Sequence, residues 1–131
     1  MNLPKLSKQQ KLAVKYIKKN NIIVDCVPGS GKTTSVLHIA KKYPKFSMLL
    51  LTYSKKLRLE TKEKTEKLNL SNIEAHTYHS FCVRYYNREA FTDSGIKTML
   101  NNDSTSFKPF KYRIIILDEA QDMSFLYYEL V

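Results

Sequence analysis

Residues 26–33 read CVPGSGKT, and their flanks decide the fold. On the N-terminal side, residues 22–26 are short, β-branched and bounded by Asn and Pro-Gly, so they read as a buried strand. On the C-terminal side, residues 32–43 carry a helical period that Pro44 closes. A Gly-rich turn between a strand and a helix is the context a phosphate-binding loop requires, and the stretch fits GxxxxGK[ST] with Cys26 in place of the first Gly. Gly29 and Gly31 let successive backbone N–H groups converge on phosphate oxygens at a helix N-terminus. Lys32 adds a mobile positive charge for the β- and γ-phosphates, and the Thr33 hydroxyl is placed to ligate Mg²⁺.

Outward from this loop, strands and helices alternate. Ser7 caps a first helix whose stripe is Leu12, Ala13, Tyr16 and Ile17, with Leu6 as staple and an end near Asn20. Residues 46–53 read as an apolar strand, 55–68 as a charged helix, 72–76 as a short strand and 78–87 as a helix. Residues 88–111 have no sustained period. Residues 113–117 are the most hydrophobic strand, followed by acids and a final helix from about Ser124. Such alternation predicts an α/β fold, a parallel sheet with helices on both faces, whose ligands bind at the carboxyl ends of the strands.

A second motif, IIILDEAQD over 114–122, sits at one of those ends. Asp118 would emerge from the buried strand to hold Mg²⁺ through water, leaving Glu119 to orient or deprotonate an attacking water. Two adjacent carboxylates would repel without a cation. With the phosphate loop on a neighbouring strand, the shared ligand is ATP or another nucleoside triphosphate with Mg²⁺.

Composition sets the bounds. The 131 residues are 43% hydrophobic, with nine Tyr and six Phe, enough for one core. The longest apolar runs are far too short to span a membrane, and MNLPKLSKQQ lacks the apolar core of a signal peptide, so an intracellular compartment is expected. Two cysteines cannot make a disulfide framework, and His79 with Cys82 lacks the partners of a structural zinc site. The formal charge of +10 lies N-terminally: residues 1–67 hold 15 Lys and Arg58 against four acids, whereas acids outnumber bases thereafter.

Taken together, the motifs resemble those of the UvrD/Rep-type superfamily 1 helicases, ATP-driven DNA translocases. LSKQQKLAV (6–14) looks like the Q motif, CVPGSGKTT like motif I, LLLTYSKKLRLETKEK (49–64) like motif Ia, HTYHSFC (76–82) like motif Ib and DEAQD like motif II. The HTYHSF block and the Gln121-Asp122 ending separate it from the DEAD-box RNA helicases. The resemblance implies that residues 1–131 are a single RecA-like ATP-binding domain, that Gln10 reads adenine, and that Pro28, Gly29, Ser30, Gly31, Lys32, Thr33, Thr34 and Gln121 contact the nucleotide. Lys32 and Glu119 would be catalytic, and Thr33 and Asp118 would hold Mg²⁺.

Motifs Ia and Ib lie on the single-stranded DNA side of that family's first domain. Tyr53 would stack on a base, Lys55, Lys56 and Arg58 would meet phosphates, and Thr52, Thr77 and His79 would hydrogen-bond the strand. The bland alternatives are that Tyr53 and Tyr78 are core aromatics and that the helix 55–67 is a solvated surface with Glu60–Lys64 and Glu63–Lys67 pairs. Thr34 stands where family members often carry Arg, and motifs III to VI and the second RecA-like domain do not follow motif II here. An arginine finger from that second domain, in cis or in trans, contributes about 10³ to 10⁵ in rate, so this chain alone should hydrolyse ATP slowly. The competing expectation is a stand-alone module that binds nucleic acid in response to nucleotide without hydrolysis. An RNA-directed ATPase is a third.

Overall fold

The run MLLLT, Met48–Thr52, has no polar face to offer water, and burial on both sides is how such a strand is stabilised. In the computed structural model, which describes residues 2–25, 27, 29–102, 106 and 110–131, it forms the central strand β1 with every side chain buried. Around it run α1 (Lys8–Tyr16), α2 (Lys32–Lys42), α3 (Lys55–Lys67), β2 (Ile73–Thr77), α4 (Tyr78–Tyr85), α5 (Asp93–Asn101), β3 (Ile114–Leu117), a 3₁₀ turn at Ala120–Asp122 and α6 (Phe125–Leu130). The sheet is parallel in the order β2-β1-β3, with Leu51 beside His76 on one side and Leu117 on the other.

Alternation along β1 builds two cores. Met48 and Leu50 join Ile73, Ile114 and the apolar stripe of α1 and α2, namely Val14, Val36, Ile39 and Ala40. Leu49 and Leu51 turn the other way, into Tyr78, Phe81, Cys82 and Tyr85 of α4, Ile96 and Met99 of α5 and Tyr127 of α6. The α/β class with helices on both faces is therefore as the alternation predicts, consistent with a RecA-like phosphate-loop fold. α3 lies along β2 and buries Thr61 and Thr65. Cys82 is a fully buried thiol whose pKa burial pushes up to about 12, which fits an apolar role.

Three expectations need correction. The first helix ends at Tyr16, where the Asn20 side-chain amide donates to the Tyr16 carbonyl, instead of running to Asn20. Residues 22–25 form no strand, and Cys26 lies outside the described residues. Ile23 and Val24 are 98% and 60% exposed. A strand must pair its N–H and C=O groups, and among the described residues β3 pairs with β1 alone, so nothing flanks 22–25 to complete it. β3 thus adjoins β1 and not the segment before the phosphate loop.

The third correction is α5, which lies within the stretch that shows no period. Thr92 caps it by accepting from the Gly95 amide, and Ile96 and Met99 are its buried face. Gly95 weakens the helical signal yet is needed there: a Cβ would come within 2.7 Å of the Glu89 carbonyl oxygen. Among the described residues no helix is long and apolar enough to cross a membrane.

Candidate functional site

Backbone shape comes first. Gly29 and Gly31 take φ of +77° and +86°, values that a side chain would resist, and they curl the loop ahead of α2. Gly31 is the N-cap of α2 and supplies no side chain to its first turn, so those amides remain for an external anion. A Cβ built on Gly29 meets no atom within 4 Å, leaving open space beside the loop. Pro28, also assigned to the nucleotide, lies outside the described residues. Ser30 is exposed, and Thr33 and Thr34 are half-buried in the first turn of α2.

Lys32 reaches across the sheet end. Its Nζ lies 2.7 Å from Oε1 of Glu119, 87 residues away, so the loop and the DEAQD motif share one site. Gln121 donates its side-chain amide to the other Glu119 oxygen. Both contacts, the Lys32 hydrogen bond foremost, hold the Glu119 carboxyl below its ordinary value. Glu119 takes a left-handed φ of +53°, which swings its side chain off the strand axis toward Lys32.

Asp118 behaves oppositely. Its amide donates to the Leu51 carbonyl and its Oδ2 accepts from the Thr52 hydroxyl at 3.3 Å. Burial, reinforced by the Glu119 charge, pushes its pKa up, so the position lacks positive charge. Hard oxygen donors at Asp118 and Thr33 suit Mg²⁺. Among the described residues no group of three His, Cys, Asp or Glu could hold a metal alone. Mg²⁺ here would therefore take its other ligands from phosphate and water.

Gln10 also meets the loop. Its Nε2 donates at 3.2 Å to the Ser30 carbonyl and at 3.2 Å to the Gly31 carbonyl, while its Oε1 accepts from the Ser7 amide.

Beyond β1 the motif Ia and Ib residues gather on the aromatic face. Tyr53, 37% exposed, leans on Tyr78 with ring centroids 5.0 Å apart and meets Tyr127 edge-on at 5.5 Å. Tyr78 is a core residue, 1% exposed and stacked on Tyr127 at 4.4 Å, so the bland reading holds for Tyr78 while Tyr53 keeps an open side. Lys55 and Lys56 are exposed at the start of α3, whose Glu63 pairs with Lys67 and Glu60 with Lys56.

Two of the strand-contacting threonines do other work. Thr52 is 1% exposed with its hydroxyl on Asp118, and Thr77 is buried with its Oγ1 capping α4 through the Ser80 amide. Neither is presented to a strand, because each is the last residue of a strand whose turn it stabilises. His79 remains half-exposed, its Nε2 2.7 Å from Asp93 Oδ1, which also accepts from the Tyr127 hydroxyl. Asp93 and Tyr127 are partners that motif reading does not reach. Asp93 begins the helix that Gly95 conceals, and Tyr127 follows the last motif.

A family model described as an AAA domain matches residues 10–131. No curated protein and no solved structure matches the chain.

Proposed function

Since the chain belongs to the AAA domain family, a P-loop NTPase-related group, we propose that it is the ATP-binding and ATPase domain of a superfamily 1 DNA helicase of the UvrD/Rep type. The observation that carries the reading is the Lys32–Glu119 contact, which unites the two halves of a nucleotide site from distant motifs. The loop amides and Lys32 would bind the β- and γ-phosphates, with Thr33 and Asp118 on Mg²⁺. A bound Mg²⁺ would neutralise phosphate charge. Drawn to the phosphates, Lys32 would release Glu119, freeing its carboxylate to accept a proton from water at Oε1. Gln121, already on Glu119, would keep that carboxylate aimed.

Single-stranded DNA is the proposed polymer. Tyr53 offers a stacking face, Lys55 a phosphate contact and His79 a polar one, and Tyr53 directly follows Thr52, whose hydroxyl meets Asp118. Nucleotide and strand thus share the end of β1. Coupling to translocation and unwinding needs a second RecA-like domain, in cis or in trans, to supply an arginine and a second grip.

Phosphate release from Mg-ATP by the 131-residue chain tests this reading. Slow turnover that Lys32→Ala abolishes is the expected result. ATP-dependent strand affinity with no phosphate release under any partner addition would favour the non-hydrolytic module instead. Matched DNA and RNA oligonucleotides in competition would expose an RNA-directed ATPase, and unwinding by this chain alone would refute the requirement for a second domain.

A further inference from the structure

Both ends of the Gln10 side chain are occupied by the protein. A neutral amide has two N–H donors and one carbonyl oxygen. Here the oxygen accepts from the Ser7 amide at 2.8 Å, completing the capping box of α1, and the nitrogen lies 3.2 Å from each of two loop carbonyls, those of Ser30 and Gly31. Reading a purine edge requires donors that are already engaged.

The same bonds orient the loop. In a planar trans peptide the C=O and N–H point in opposite directions. Drawing the Ser30 and Gly31 carbonyls toward Gln10 therefore turns the N–H groups of Gly31 and Lys32 away from it, to the side where phosphate would sit. The fit is close, since a Cβ on Gly31 would come 2.9 Å from Gln10 Nε2.

From this geometry we infer that Gln10 is a positioning residue for the phosphate loop, aiming the Gly31 and Lys32 amides, and that the site selects the polyphosphate of its ligand with little discrimination between adenine and guanine. The inference rests on the nucleotide-binding reading above. It places α1 in the site as a brace on the loop and makes base identity secondary.

Calorimetric titration of the full chain with Mg-ATP, Mg-GTP and Mg-tripolyphosphate tests it, the last probe having no base. Wild type should bind ATP and GTP with similar affinity. Gln10→Ala should weaken all three ligands by a common factor of about ten, the size expected for two neutral hydrogen bonds. Gln10→Glu keeps an acceptor for the Ser7 amide but faces oxygen to oxygen at the loop, so it should weaken all three at least as much while retaining the wild-type melting temperature. Ser7→Ala removes the cap hydroxyl alone and should leave all three affinities within about twofold, which separates loop positioning from helix stability.

A loss confined to ATP, with tripolyphosphate unchanged, would overturn the inference and restore adenine reading. So would Gln10→Glu binding like wild type. In both cases the site itself would stand if Lys32→Ala still abolished binding. Failure of wild type to bind any of the three ligands would end the nucleotide reading and this inference with it.

Discussion

The two faces of the sheet are built from different chemistry. One is aliphatic, with Val14, Val36, Ile39, Met48, Leu50, Ile73 and Ile114 interlocked under α1 and α2. The other is aromatic: Tyr78, Phe81, Tyr85 and Tyr127 pack with Phe110 and Tyr112. Branched aliphatics fill space without directional demands, and they hold the helix that begins at the phosphate loop. Tyrosines bring hydroxyls that need partners, so the aromatic face carries a polar network on Glu74, Asp93 and His79. The aliphatic face thus serves as a rigid support and the aromatic face as a surface that can exchange partners. They meet where Thr52 touches Asp118.

Breaking one face should spare the other. The largest effect is expected at Glu119, where Glu119→Gln removes the proposed base. Turnover should fall about 10² to 10⁴-fold while equilibrium ATP binding persists, as single-turnover assays and titration would report. On the aromatic face, Tyr127→Ala removes a buried ring stacked on Tyr78 and should cost about 3 kcal/mol of unfolding free energy in urea. At equal temperature and below its midpoint, that variant should still bind Mg-ATP.

A smaller effect is expected at Tyr53. Tyr53→Ala should weaken a single-stranded oligonucleotide by about 1 to 3 kcal/mol in anisotropy titrations and leave ATP affinity unchanged. An equal loss of both would merge the two faces into one site.

The smallest concerns His76, whose Nε2 lies 3.1 Å from Glu74. Burial lowers its pKa and outweighs the opposing pull of Glu74. The folded state therefore binds a proton less readily than the unfolded chain. Stability is full above the unfolded value near 6.5 and is lost as pH falls below it. The melting temperature should drop by a few degrees between about pH 7 and 5, and His76→Gln should flatten that slope.

The sequence reaches the two faces unequally. β1 and α2 are legible because an unbroken apolar run and a Gly-Lys-Thr helix start each have one stable solution. Residues 22–25 look as apolar as β1, yet pairing decides whether such a run becomes a strand, and pairing is not a local property. On the site, the spacing of motifs brings Lys32 and Glu119 into view, but not their direct contact. Thr52 and Thr77 illustrate the limit of motif position: each sits at the expected strand end, and burial there turns its hydroxyl inward. Asp93 was hidden because Gly95 masks α5, and only the packing against Glu89 explains that glycine.

The central claim is that distant motifs converge on one nucleotide site. Calorimetric titration of Mg-ATP into the 131-residue chain, beside Lys32→Ala, tests it most directly. The account predicts saturable binding at one site by wild type and none by the variant; equal binding by both, or none by wild type, would contradict it.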